Sequence, residues 1–60
     1  MNVKLKRIEK GITQAELCRL AKVSPQKMVK IERGDYSTVT IKLGKRIAEI
    51  LGTTFEELFL

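Results

Sequence analysis

The stretch Gln14 to Gly34, QAELCRLAKVSPQKMVKIERG, reads as two short helices joined by a tight turn. Leu17 and Ala21 stand four apart, Met28 and Ile31 three apart, so each half carries one apolar stripe at helical spacing. The two stripes form a corner, with small Cys18 beside Leu17 and Val23 between the halves. Ser24 is a favoured N-cap, and Pro25 suits the first helical position, where its missing N–H would be unpaired anyway. The second helix of the pair is therefore expected to start at Pro25. It ends at Gly34, which accepts the left-handed conformation common past a helix C-terminus. That gives about nine helical residues, or roughly 13 Å at 1.5 Å per residue.

The flanks hold this corner in place. Met1, Leu5, Ile8 and Ile12 recur at spacings of four, three and four, which predicts an amphipathic first helix over roughly residues 2 to 10, ended by Gly11. Thr13 and Glu16 form a capping box for the next helix. Gly34 to Val39 reads as a polar loop. Thr40 caps a fourth helix with Ile41, Ile47, Ala48 and Leu51 near one face, and Gly52 ends it. Gly44 inside that helix costs about 1 kcal/mol relative to alanine. It predicts either the close approach of another helix or a packing role taken over by Leu43. Thr54 to Leu60 repeats the capping pattern with Glu57 and supplies Phe55, Leu58 and Phe59. Five helices on short connections leave no room for a sheet, so the expectation is one all-α domain over residues 1–60.

Sixty residues bury only about 60% of the surface the unfolded chain exposes, which excludes a second catalytic subdomain. No apolar run approaches the roughly 18 residues of a membrane span, and nothing resembles a signal peptide, so a cytoplasmic protein is expected. One cysteine allows no internal disulfide, and without histidine a zinc site has almost no ligands to draw on. No metal, cofactor or small-molecule ligand is expected. The net charge is +5, but it is unevenly placed. Residues 1 to 33 carry nine Lys or Arg against three Glu, giving +6, and the remainder carry −1. A basic excess in the first half favours a polyanion, and a helix of the size found at Pro25 fits a DNA major groove. No helix pairs a broad apolar face with a purely basic one, so a membrane surface is a poorer partner.

The string TQAELCRLAKVSPQKMVKIERG, flanked by KRIEKG and by VTIKLGKRIAEILGTTFEELF, resembles the Cro/C1-type (XRE) helix-turn-helix family of phage and bacterial repressors. The resemblance covers nearly the whole chain and implies a compact five-helix lambda-repressor-like domain with the helix-turn-helix formed by helices 2 and 3. It implies that helix 3 enters the major groove, with Gln26, Lys27 and Lys30 facing bases: Gln26 toward adenine, a lysine toward guanine. Pro25 departs from the usual polar residue and offers only an apolar contact, such as to a thymine methyl. Gln14 matches the family glutamine that clamps a phosphate at the start of helix 2. Ser24, Tyr36, Ser37 and Thr38 are further phosphate candidates. Lys22 stands where the family prefers glycine with φ > 0, a position costing a lysine about 1 kcal/mol, and is also a candidate for phosphate. Arg7 and Glu32 match a family salt bridge between helix 1 and the end of helix 3. Cys18 fills the small-residue slot at the closest approach of helices 2 and 3.

The function so implied is a sequence-specific transcriptional regulator, chiefly a repressor, of bacterial or phage origin. Its partner is a double-stranded, pseudo-palindromic operator bound by a homodimer, formed only on DNA if not before, with Phe55, Phe59 and Leu60 as the dimer surface. A restriction-modification controller is a subtype of that class. The alternative is a protein-interaction module on the same fold, such as an antitoxin or coactivator. An enzyme is not expected: with no histidine, one buried cysteine and no clustered carboxylates, no acid–base or nucleophile arrangement can be assembled.

Overall fold

Five helices make up the computed structural model, which describes residues 2–60: α1 (Val3–Lys10), α2 (Gln14–Ala21), α3 (Pro25–Glu32), α4 (Ile41–Leu51) and α5 (Phe55–Phe59). Those residues contain no strand. Each helix starts on a side chain that accepts from the backbone N–H three residues on. Asn2, Thr13, Ser24, Thr40 and Thr54 accept from Leu5, Glu16, Lys27, Leu43 and Glu57 at 2.8, 3.0, 3.2, 3.0 and 3.1 Å. Such a cap contributes about 1 kcal/mol. At Thr13 the capping box is complete, since Glu16 accepts in return from the Thr13 N–H at 3.3 Å. At α5 the Glu57 carboxylate accepts from the Thr53 hydroxyl at 2.8 Å. Helix α3 is one turn position shorter than its sequence suggests: it stops at Glu32, Arg33 caps it, and Gly34 follows at φ 95°.

Helix α4 packs against α1, α2 and α5. It contributes Leu43, Ile47, Ala48 and Leu51 to a core completed by Leu17, Cys18, Ala21, Met28, Ile31, Val3 and Leu58. Gly44 is explained by close approach. A Cβ there would overlap the Phe55 ring, lying 2.7 Å from Cδ1, and would come within 3.3 Å of Phe59. The missing side chain is what lets α5 lie on α4. No helix among the described residues is long and apolar enough to cross a membrane.

Two sequence expectations are corrected. Leu5 and Ile8 face solvent, each 55% exposed, while Val3 is fully buried; Met1 of the same stripe lies outside the described residues. Helix α1 turns the face of Val3 and Arg7 inward because Arg7 must reach Glu32. Residues three or four apart share a face, so Val3 follows Arg7 into the core and Leu5 and Ile8 do not. Ile12, just past the helix, is half-buried against the core. Ile41 is also exposed, at 66%. It occupies the first turn of α4, at the margin of the face that Leu43 and Ile47 define.

Candidate nucleic-acid interface

The α2–turn–α3 unit is fixed from behind by one charged network. Arg7 of α1 donates from Nε to Glu32 Oε2 at 2.8 Å, from Nη2 to Glu32 Oε1 at 3.4 Å, and from Nη1 to the Ile12 carbonyl at 2.9 Å. Gln14 Nε2 donates to Glu32 Oε1 at 3.2 Å. The two charged side chains are 13% and 5% exposed, so the pair is nearly dry. The start of α2, the end of α3 and α1 are thereby held at one point. Cys18 lies near it: burial, and secondly the Glu32 charge, push its thiol above the usual pKa, which keeps it protonated and inert.

The other side of α3 faces solvent. At 100° per residue, Gln26, Lys30 and Arg33 fall on one face, opposite buried Met28 and Ile31. All three are exposed, and Pro25 is exposed at the tip of the helix. Lys27 sits about a quarter-turn away and is half-buried, as is Val29 on the opposite flank. The Ser24 hydroxyl is engaged as the cap of α3. Lys22, in the turn, is exposed and left-handed at φ 58°, the one non-glycine residue among those described with positive φ. Lys22, Lys27, Lys30 and Arg33 form no ion pair among the described residues, whereas Lys6 is paired with Glu9 and Arg7 with Glu32. The turn and α3 thus carry four of the cations without an ion pair; Lys4, Lys10, Arg19, Lys42, Lys45 and Arg46 are the others among the described residues.

The α3–α4 loop differs from its sequence reading in one respect. Tyr36 is half-buried: its ring meets Phe59 edge-on at 4.9 Å, and its hydroxyl donates to the Leu58 carbonyl at 3.4 Å. Tyr36 therefore packs against the core from the loop, with its hydroxyl turned to α5. Ser37 and Thr38 are exposed. Ser37 donates from both its hydroxyl, at 2.7 Å, and its backbone N–H, at 3.1 Å, to Asp35 Oδ1. Those two bonds, with a smaller contribution from Lys30, hold the Asp35 carboxyl below its ordinary range. Next to this loop, Leu60 is 92% exposed beside an open depression of about 320 Å³ lined by Asn2, Tyr36 and residues 57–60. Phe55 and Phe59 are half-buried there, their rings 5.1 Å apart.

Sequence reasoning missed two basic residues near this surface. Arg33 shares the Gln26 face, a relation readable from its spacing of seven. Arg46 of α4 donates to the Ala21 carbonyl at 3.2 Å, and no local signal announces that.

A capped helix crossing behind a second helix whose outward face is polar and basic is the arrangement of a helix-turn-helix DNA-binding domain. The family model described as Helix-turn-helix matches residues 3–58, and the chain belongs to that Cro/C1-type family of DNA-binding regulators. No match was found among curated proteins or among solved structures.

Proposed function

We propose that the chain is a sequence-specific repressor that occupies a pseudo-palindromic operator as a dimer, with α3 in the major groove. The observation that carries this is the exposed row Gln26–Lys30–Arg33 on α3, whose side chains make no hydrogen bond or ion pair among the described residues, backed by the buried Arg7–Glu32 pair. Gln26 is suited to a bidentate pair with adenine and Lys30 to guanine O6 and N7, each discriminating by about 1–3 kcal/mol. Lys27, off to one side, reaches the groove wall or an adjacent base. Pro25 supplies an apolar contact at the tip. Gln14, Ser24, Lys22, Ser37 and Thr38 bind phosphates and set the register; the hydrogen bond that the Gln14 amide donates to Glu32 orients it at the N-terminus of α2.

One such module reads few base pairs, so specificity requires two copies with centres about 34 Å apart. Phe55, Phe59 and Leu60 form the dimer surface, of which Leu60 contributes the most exposed apolar area. Such a protein acts in the cytoplasm of a bacterial cell on bacterial or phage DNA. Selection from a random duplex library at two salt concentrations tests the proposal. A two-fold symmetric enriched site with steep salt dependence supports it. Failure to enrich any site, with only weak binding at low salt, contradicts it and favours a protein-docking role.

A further inference from the structure

Among the ends of α1 to α4, one is built differently from the other three. Past α1, α3 and α4 the chain turns on glycine, and two successive N–H groups close the helix on two different carbonyls. Gly11 and Ile12 donate to Ile8 and Arg7 at 2.9 and 3.4 Å, Gly34 and Asp35 to Ile31 and Lys30 at 3.0 and 2.9 Å, Gly52 and Thr53 to Glu49 and Ala48 at 3.1 and 2.9 Å. This is the two-bond closure that glycine makes easy. Helix α2 turns on Lys22 instead, and both Lys22 and Val23 donate to the single carbonyl of Cys18. The helix end is completed from outside: Arg46 of α4 donates from Nη1 to the Ala21 carbonyl. The corresponding carbonyls of Lys10, Arg33 and Leu51 receive no side-chain donor among the described residues.

We infer that Arg46 is a positioning residue for DNA reading, clamping the end of α2 to α4 and so fixing the angle at which α3 leaves the turn. The guanidinium meets the negative end of the α2 dipole, and the bond is charge-assisted. Only Lys22, Val23 and Ser24 separate the clamped carbonyl from Pro25 and Gln26. A binding constellation has to be held to about 0.5 Å and 10–20° to be productive, and the turn's own backbone closure rests on one carbonyl where the other three use two. Arg46 therefore acts on specificity without touching a base. The inference rests on the proposed DNA reading.

The test uses the full chain and the duplex it selects. Dissociation constants are measured for that duplex and for a scrambled one, at two salt concentrations and at a temperature where circular dichroism shows every variant folded. Arg46→Met is expected to lower the ratio of selected to scrambled affinity about tenfold, the loss of one well-read base pair. Affinity for the scrambled duplex and the salt slope stay as in the parent, because a clamp on a carbonyl displaces no counterion. Adding Lys22→Gly to Arg46→Met restores the ratio, since glycine recovers the two-bond closure. If Arg46→Met does not fold, Arg46→Lys, which keeps one donor, gives the same comparison with a smaller drop. An unchanged ratio overturns the inference, and so does equal loss on both duplexes with a salt slope reduced by about one, the mark of a phosphate contact. If the parent chain selects no site at all, the DNA reading itself fails, and this inference with it.

Discussion

Helices α1 and α4 carry apolar residues at similar helical spacings, yet they resolve in opposite ways. In α4 the apolar stripe goes inward, with Leu43, Ile47, Ala48 and Leu51 in the core and Lys42, Lys45 and Glu49 outside. In α1 the stripe of Leu5 and Ile8 goes outward, while Arg7 is drawn in to Glu32. An ion pair with a fixed partner therefore outranks two aliphatic side chains in setting helix orientation. The physical reason is asymmetry of cost. Leu5 and Ile8, each 55% exposed, together forgo about 1.5–3 kcal/mol, half of what full burial of both would give, whereas a buried Glu32 without its cation costs about 3–5 kcal/mol.

That comparison can be broken at several points. Arg7→Ala should have the largest effect, a loss of about 3–5 kcal/mol, since it strands the Glu32 carboxylate. Thermal melting checks it, and an unchanged curve would show that the pair does not orient α1. Combining Arg7→Met with Glu32→Leu should recover most of that loss. Next comes Ile47→Ala, which empties a fully buried site and should cost about 2–5 kcal/mol in chemical denaturation. Gly44→Ala adds a methyl against the Phe55 ring and should cost about 1–3 kcal/mol despite its better helix propensity. Leu5→Lys and Ile8→Lys should change stability by no more than about 0.5 kcal/mol, and a loss like that of Ile47→Ala would put the α1 stripe back in the core. Smallest is the Asp35 titration. With its folded pKa below the ordinary 3.8, the loop it braces is fully supported above that value and loses the support as pH falls through the folded pKa. The Ser37 amide resonance should therefore titrate below 3.8.

What the chain makes legible follows from how local each cause is. Thr13, Ser24, Thr40 and Thr54 can be read as helix starts because a cap and its recipient are three residues apart. Gly44 signals a close approach by its type alone, although only the fold identifies Phe55 as the neighbour. The face of α1 is not legible from periodicity, because it is decided 25 residues away at Glu32. The packing of Tyr36 is hidden for a similar reason: nothing local in a loop of polar residues announces that Phe59 and the Leu58 carbonyl are brought against it. For the candidate interface, the face of Gln26 and Lys30 follows from helical spacing. The clamp of Arg46 on Ala21 requires the packing of α4 on α2.

The most direct test of a base-reading α3 compares the sites selected from a random duplex library by the parent chain and by Gln26→Ala, under identical salt. The expected result is one symmetric site for the parent, and for the variant the same site with preference lost at a single base pair in each half, at a cost of about 1–3 kcal/mol. An unaltered site and affinity in the variant would contradict a groove-reading Gln26 and, with it, the assignment of α3 as the reading helix.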